Sequence, residues 1–351
     1  QLTRETKMRY RPLGDTGMEV SLICLGTMTW GEQNTPEEGF AQMDHGVAHG
    51  VNFLDTAEMY PVDVRPETYG HTEVIIGDWL AKRRCRDKII LASKVCGPGQ
   101  QHIGGGDVQF TRETIHTACE GSLKRLHTDY IDLYQLHWPD RGWTDFKSLG
   151  QTRAIGNAGA DRDETLAALD ELVQAGKIRA WGISNESAWG AMDFVARANA
   201  GKTARPASIQ NAYNLLNRKF EFALAEIALR EGIGLLAYAP IAAGVLTGKY
   251  LDGAQPQGAR NTLWPSNTRY FGQQARAATR AYVELAEELG VSPEVLAHAF
   301  VLSRPFLTSS IVGATQIRHL DQALAALDFN MNEEVETRLE SLHRQYLVPA
   351  P

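Results

Sequence analysis

Four side chains capable of acid–base chemistry come at or shortly after the ends of short hydrophobic runs. Asp55, Lys94 and His137 each end or follow such a run, and Tyr60 lies five residues beyond Asp55. A phenol has a pKa of about 10 in water, and a nearby ammonium group favours its ionised form. We therefore predict that Lys94 lowers the pKa of Tyr60 toward neutral pH, and that Asp55 keeps Lys94 charged and oriented.

The chemistry that suits these four groups is reduction of a carbonyl. Tyr60 would donate a proton to the carbonyl oxygen as the carbon receives a hydride, and His137 would stabilise the charge developing on that oxygen. Because no side chain carries hydride, a nicotinamide cofactor is expected to supply it. Plainer explanations exist, such as a helix cap for Asp55 or core packing for His137. We favour catalysis because the plainer explanations would all have to hold together, at matching positions on successive strands.

The elements that must position these residues alternate between β-rich runs and segments of helical periodicity. A hairpin is predicted over 10–20, with its turn at Gly14-Asp15, and eight strands are predicted at 21–25, 52–54, 89–91, 131–136, 178–183, 208–209, 234–237 and 309–312. Helices are predicted at 37–49, 73–82, 111–126, 164–175, 188–198 and 220–230, with additional helices at 273–289 and 292–303.

Eight such units predict a (β/α)8 TIM barrel that forms one domain over residues 1–351. An open, doubly wound sheet is the alternative. It would usually begin with the phosphate-binding motif GxGxxG, whereas the first strand here runs into Gly26-Thr27-Met28. In a barrel, the loops that follow the strands meet at one face. Three long connections, over 97–110, 139–163 and 241–272, are therefore expected there together with the four acid–base residues.

Composition excludes several classes of protein. The formal net charge of -7 is spread along the chain, which argues against a nucleic-acid-binding surface. No apolar run approaches the roughly 18 residues that span a bilayer, and the first residues lack the apolar core of a signal peptide. The four cysteines form no CxxC pair, so free thiols and a cytoplasmic location are expected. We expect a monomer or a weak homo-oligomer.

Short motifs occur in order along nearly the whole chain. They include Gly-Thr-Met at 26–28, Phe-Leu-Asp-Thr-Ala at 53–57 with Tyr60, Ala-Ser-Lys at 92–94, Tyr-Gln-Leu-His at 134–137, Gly-Ile-Ser-Asn at 182–185, Gln-Asn at 210–211, Ala-Tyr-Ala-Pro at 237–240, Leu-Thr-Gly-Lys-Tyr at 246–250 and Ile-Val-Gly-Ala-Thr at 311–315. This ordered set resembles the aldo-keto reductase family, in particular bacterial members of the branch that includes potassium-channel β subunits.

The resemblance implies a reductase that uses NADP(H), with NAD(H) not excluded, and a catalytic tetrad of Asp55, Tyr60, Lys94 and His137. It implies that the nicotinamide carboxamide is held by Ser184, Asn185 and Gln210, and that Tyr238 stacks on the nicotinamide ring. The pyrophosphate and ribose would be lined by Ala239, Pro240, Ile241, Leu246, Gly248 and Lys249. Arg260 would reach the adenine end. Further cofactor contacts are predicted at Gly26, Thr27, Met28, Asp55, Gly313, Thr315, Arg318, His319 and Gln322.

The last unit departs from the family pattern at His319 and at Ala323, whose side chain cannot hydrogen-bond adenine. Arg318 is placed to meet a 2′-phosphate, although a solvated arginine is an equal alternative. An apolar substrate cleft is predicted from Trp30, Tyr60, His137 and Trp138, with Met28, Tyr69 and the 139–163 loop.

The alternative function is an NADP(H)-binding sensor or regulatory subunit that acts through a protein partner; the intact tetrad favours a reductase of small carbonyl compounds. A metal-dependent barrel hydrolase lacks a convincing set of His and Asp ligands.

Overall fold

Eight parallel strands close into a barrel in the computed structural model, which describes residues 7–142, 158–266 and 268–351. A short antiparallel hairpin of β1 (Tyr10–Pro12) and β2 (Glu19–Ser21) precedes it. The barrel strands are β3 (Ile23–Gly26), β4 (Phe53–Asp55), β5 (Ile90–Val95), β6 (Ile131–Leu136), β7 (Ile178–Ser184), β8 (Ser208–Ala212), β9 (Gly234–Tyr238) and β10 (Leu307–Gly313). They pair in chain order, and β10 closes the barrel on β3. The predicted TIM barrel and its amino-terminal hairpin are confirmed.

Helices surround the barrel. Their bounds are α1 (Pro36–Ala48), α2 (His71–Arg83), α3 (Arg112–Arg125), α4 (Arg162–Gln174), α5 (Ala188–Gly201), α6 (Leu224–Glu231), α7 (Arg260–Leu263), α8 (Gln273–Glu288), α9 (Pro293–Leu302), α10 (Ile317–Ala325) and α11 (Glu333–Gln345). The helix predicted from residue 220 begins later, at Leu224, because a 3-10 turn over Lys219–Phe222 precedes it. Among the described ranges, no helix has both the length and the apolar character needed to cross a membrane.

Local sequence signals fix where several helices begin and end. Thr35 accepts a hydrogen bond from the backbone N–H of Glu38, and the Glu38 carboxylate accepts one from the backbone N–H of Thr35, which forms a capping box at the start of α1. Gly50 and Gly176 lie just beyond α1 and α4 with φ of 86° and 70°. Both were predicted to terminate a helix, and the left-handed conformation explains why glycine occupies these positions.

The barrel interior is filled from its amino end by the hairpin region. Leu13, Met18 and Val20 pack against side chains that point inward from the strands, among them Cys24 and Phe53. At the opposite end the lining becomes polar. The candidate site therefore lies at the carboxyl ends of the strands, as in other barrels of this type.

Candidate active site

The four acid–base residues meet at the carboxyl end of the barrel. Asp55 ends β4, Lys94 lies near the end of β5, His137 directly follows β6, and Tyr60 lies in the connection after β4. The Lys94 ammonium Nζ is 2.6 Å from Asp55 Oδ2 and 5.1 Å from the centroid of the Tyr60 ring. The Tyr60 and His137 rings meet edge to face, with their centroids 5.7 Å apart. Residues separated by up to 82 positions in sequence thus form one cluster.

The ion pair between Lys94 and Asp55 is almost completely dry. The Lys94 side chain is 0% exposed and that of Asp55 is 3% exposed. Lys94 also donates to the Thr56 carbonyl at 2.7 Å. Asp55 Oδ1 accepts hydrogen bonds from the side-chain amides of Gln135 at 3.0 Å and Gln210 at 2.8 Å. Burial lowers the pKa of Lys94, but the adjacent Asp55 and Tyr60 outweigh burial and raise that pKa above its ordinary value. Lys94 is therefore a permanent cation at neutral pH.

The phenol of Tyr60 keeps its proton. Burial raises the pKa of Tyr60, and the charge and hydrogen bond of Lys94 only partly oppose this effect. The net direction is opposite to our prediction, because the removal of water from the phenol outweighs the neighbouring ammonium. The protonated form is the one required of a general acid.

His137 is neutral. Burial first, and then the charge of Lys94, hold the pKa of this imidazole well below its ordinary range. The backbone on both sides is fixed, since His137 N–H donates to the Val95 carbonyl at 3.1 Å and its carbonyl accepts from the Asn185 side chain at 2.9 Å. Its ring Nδ1 is buried and has no hydrogen-bond partner among the described residues. A neutral imidazole held in this way can interact with a substrate oxygen without adding positive charge to the site.

Polar side chains at the ends of β7, β8 and β9 lie beside this cluster. Ser184 Oγ donates to the Gln210 carbonyl at 2.8 Å, and the Tyr238 hydroxyl donates to Asn185 Oδ1 at 2.6 Å. Asn185 adopts the left-handed conformation, with φ of 54°, which turns its side chain toward Ser184. The four residues predicted to contact the nicotinamide therefore form a connected group next to Asp55.

The chain after Tyr238 contains a run of left-handed residues. Ala239, Ala242 and Ala243 have φ between 51° and 55°, a conformation that costs energy for residues with a Cβ. Asn214 donates to the Ala239 carbonyl at 2.9 Å, and Asn261 donates to the Ala243 carbonyl at 3.0 Å. These two asparagines were missed by sequence reasoning, and no signal in the sequence singles them out. Within the turn itself, the N–H groups of Ala242 and Gly244 donate to the carbonyls of Ala239 and Ile241 at 2.8 and 3.0 Å.

Cations from three parts of the chain lie along the same side. Lys249 and Arg318 interact electrostatically. Burial and the charge of Arg318 lower the pKa of Lys249, and Glu294 only partly opposes them. The Arg260 guanidinium donates to Met28 Sδ at 3.6 Å and interacts electrostatically with Tyr60. Arg260 therefore lies beside the acid–base cluster, and its predicted contact with the adenine end stays a prediction.

Other predicted cofactor residues have structural partners. Thr27 is buried and donates to the Asp55 carbonyl at 2.9 Å, while Gly26 has no room for a side chain because a Cβ would lie 2.8 Å from Ile311. Gln322 Oε1 accepts from Ser292 Oγ at 2.6 Å. The remaining predicted positions after β9 and β10 are buried at Pro240 and Leu246, half-buried at Ile241, Gly248, Thr315 and His319, and exposed at Gly313.

The departures noted in the last unit lie on or just before α10. His319 Nδ1 lies 3.3 Å from Thr315 Oγ1, and burial with the charges of Arg318 and Lys249 lowers the pKa of His319 to about 4. Ala323 is 0% exposed and packs in the core. A side chain at position 323 therefore does not reach the surface of the cleft, whereas His319 and Thr315 remain partly accessible.

The predicted substrate cleft is only partly realised. Trp138 is half-buried and packs with Tyr60 on an apolar cluster of Ala57, Met59 and Cys96. The prediction that Trp30 lines the substrate cleft is wrong. It is 0% exposed, packs on α1, and its indole N–H donates to Gln42 at 3.1 Å, so it belongs to the core. The part of the predicted 139–163 loop that covers 143–157 lies outside the described residues.

Comparison with known proteins assigns this arrangement to a family. The sequence model described as the Aldo/keto reductase family matches residues 22–344. Protein tas of Escherichia coli (strain K12) is 46% identical over 346 residues, which cover 98% of this chain and all of that protein. The uncharacterized oxidoreductase YrpG of Bacillus subtilis (strain 168) is 32% identical over 95% of this chain and 96% of its own length. A probable voltage-gated potassium channel subunit beta of Arabidopsis thaliana is 30% identical over 92% of both chains. The chain therefore belongs to the aldo/keto reductase family.

Proposed function

We propose that this protein uses NADPH to reduce an aldehyde or ketone to an alcohol, with Tyr60 as the proton donor. The observation that carries the proposal is the position of the Tyr60 phenol between the dry Lys94–Asp55 ion pair and the His137 imidazole. A proton donor and a neutral hydrogen-bonding partner suit an oxygen that gains negative charge.

Each residue of the tetrad has a separate task in this proposal. The Tyr60 hydroxyl transfers its proton to the carbonyl oxygen, and Lys94 stabilises the phenolate left behind. Asp55 holds Lys94 in place, helped by the amides of Gln135 and Gln210. His137 hydrogen-bonds the same substrate oxygen. A reduced nicotinamide, when bound, supplies the hydride.

The residues next to the tetrad fit a phosphorylated dinucleotide. Lys249 and Arg318 come from different parts of the chain and interact electrostatically, and Arg260 interacts with Tyr60. An additional 2′-phosphate would be attracted by the positive charges of Lys249 and Arg318. We therefore propose NADPH as the preferred cofactor, bound between Tyr238 and the residues that precede α10.

Titration of protein fluorescence with NADPH and NADH, followed by a panel of carbonyl compounds that includes 4-nitrobenzaldehyde, tests this function. We expect tighter binding of NADPH and oxidation of NADPH that depends on the carbonyl. Tyr60→Phe should lower kcat by about 10²–10⁴-fold, the usual contribution of a positioned acid, while the cofactor Kd stays nearly unchanged.

Tyr282→Phe is the matched control. The Tyr282 hydroxyl on α8 is buried without a hydrogen-bond partner in the described structure, so its removal should leave turnover intact. Full activity in Tyr60→Phe would exclude Tyr60 as the acid. Bound NADPH without turnover across the whole panel, together with a stable co-purifying protein, would instead support a sensor that acts through a partner, as the names of the plant relatives suggest for those proteins.

A further inference from the structure

A buried glutamate holds the segment that carries Tyr60. Glu58 is two residues before Tyr60 and only 3% exposed. Its Oε1 accepts a hydrogen bond from the backbone N–H of Cys96 at 2.6 Å, and its Oε2 accepts one from the Tyr69 hydroxyl at 2.7 Å. Cys96 directly follows β5, the strand that carries Lys94. One carboxylate thus joins the connection after β4 to the end of β5 and to the residues before α2.

The rest of this segment is fixed at separate points. Thr56 N–H donates to the Ala92 carbonyl at 2.9 Å, Glu58 N–H donates to the Lys94 carbonyl at 3.2 Å, and Val62 N–H donates to the Met28 carbonyl at 2.8 Å. Between Glu58 and Val62, the Tyr60 N–H bonds only within the turn, to the Ala57 carbonyl at 3.1 Å. The Glu58 side chain therefore adds a second attachment to the end of β5, at the residue whose own N–H bonds the Lys94 carbonyl. Cys96 Sγ also lies 3.9 Å from Sδ of Met59, the residue before Tyr60.

The partner Tyr69 is itself held in place. The Arg125 guanidinium lies 5.1 Å from the centroid of the Tyr69 ring and donates to the buried Glu73 carboxylate at 2.6 Å. Glu73 also accepts from the Ser93 hydroxyl, directly before Lys94 in β5. Burial raises the pKa of Glu58, whereas the two hydrogen bonds that it accepts lower it. Both carboxylate oxygens of Glu58 have a hydrogen-bond partner, so its side chain is used in holding the segment.

We infer that Glu58 is a positioning residue, which sets the distance between the Tyr60 hydroxyl and Lys94 by fixing the Tyr60 segment to the end of β5. The inference rests on the proposed role of Tyr60 as the acid. Small displacements of a reacting group can lower a rate on the order of 100-fold, so loss of this attachment should affect the chemical step.

Asp132 provides a matched control at the other end of the barrel. Its carboxylate is also buried, 1% exposed, and accepts a backbone N–H of β5, that of Leu91 at 2.9 Å, together with Arg86 and Arg179. Glu58→Ala and Asp132→Ala both remove a buried carboxylate that caps β5, and both should lower the unfolding midpoint. Only Glu58→Ala alters the attachment of Tyr60.

The experiment compares full-length wild type, Glu58→Ala, Glu58→Gln and Asp132→Ala. We expect Glu58→Ala to lower kcat on the order of 100-fold with nearly unchanged NADPH Kd, and to increase the isotope effect from deuterated NADPH because chemistry becomes rate-limiting. Amide exchange over 56–62, measured without cofactor, should accelerate in Glu58→Ala alone. Glu58→Gln, which keeps an oxygen for Cys96 N–H, should recover most of both properties.

The inference is overturned if Glu58→Ala keeps the wild-type kcat, or if exchange over 56–62 stays slow in that variant. It is also overturned if Asp132→Ala loses kcat to the same degree, since the effect would then follow general destabilisation. If wild type itself reduces no carbonyl, the proposed function fails, and exchange over 56–62 still decides whether Glu58 holds the segment. Should Glu58→Ala fail to fold, Tyr69→Phe, which removes one of the two attachments, should show smaller changes in the same two readouts; no change in either would reject the inference.

Discussion

The dry ion pair between Lys94 and Asp55 should show a large coupling energy in unfolding experiments. We expect Lys94→Met to lower the free energy of unfolding by about 3 kcal/mol. This is the low end of the cost of breaking a buried pair, because Asp55 keeps two amide donors from Gln135 and Gln210. Asp55→Asn should lower the free energy of unfolding by about 4–5 kcal/mol, since the buried ammonium loses the carboxylate that balances its charge.

The double variant Asp55→Asn/Lys94→Met leaves no unpaired charge in the barrel. Its cost should therefore be about 5 kcal/mol instead of the sum of the two single costs, which corresponds to a coupling energy of about 2–3 kcal/mol. Urea unfolding at pH 7, followed by circular dichroism and by tryptophan fluorescence, measures the four free energies of unfolding. The two transitions should coincide so that each free energy is well defined.

The same cycle has a pH dependence that follows from the raised pKa of Lys94. The folded state holds this proton more tightly than the unfolded state. The resulting stability is therefore fully present below the unfolded pKa of about 10.4 and is lost as the pH rises through the folded pKa. Lys94→Met should lack this alkaline loss. Additive costs of the two single substitutions, with a coupling energy below about 0.5 kcal/mol, would refute the reasoning.

Two histidines give further predictions. His137→Asn should lower kcat by about 10²–10³-fold, as loss of one donor to a developing oxyanion does. Because the pKa of His137 is well below 6.5, the wild-type kcat profile should show no inflection between pH 6 and 7 that His137→Asn removes; such an inflection would contradict a neutral imidazole. His298, buried on α9, has a pKa lowered by burial to about 4. As the pH falls below 6.5, the unfolded chain therefore binds this proton before the folded chain does. Between pH 7 and 5, the free energy of unfolding should fall by about 2 kcal/mol more in wild type than in His298→Gln. Equal losses in urea unfolding would reject this assignment.

Much of the fold could be predicted because short apolar runs mark the strands. The observed β6 and the predicted 131–136 agree, because apolar residues begin and end this segment, although the polar Asp132 and Gln135 interrupt it. The predicted 89–91 strand, however, extends to Val95 in β5. Ser93 and Lys94 are buried polar residues that break the apolar pattern of a buried strand. Sequence pattern fails here because the strand end serves the site.

The clustering of the four acid–base residues could be predicted because they share a place in successive βα units. Residues that depend on distant contacts could not. Glu58 is recognisable only through Cys96, which is 38 positions away, and Asn214 only through Ala239, which is 25 positions away. Trp30 shows the opposite error. An aromatic side chain after the first barrel strand suggests a cleft, but Gly39 on α1 leaves room for the indole to pack into the core.

The protonation states, which sequence reasoning predicted least well, determine what the site can do. We expected Lys94 to make Tyr60 more acidic, but a dry pocket raises the pKa of the phenol despite the cation. The same burial keeps His137 neutral and makes the Lys94–Asp55 pair difficult to separate. The consequence is a site with one fixed charge pair, one mobile proton on Tyr60 and no competing acid on His137. Such a site is prepared to donate a proton to an oxygen that gains charge, because the phenolate that results would then lie beside the Lys94 ammonium.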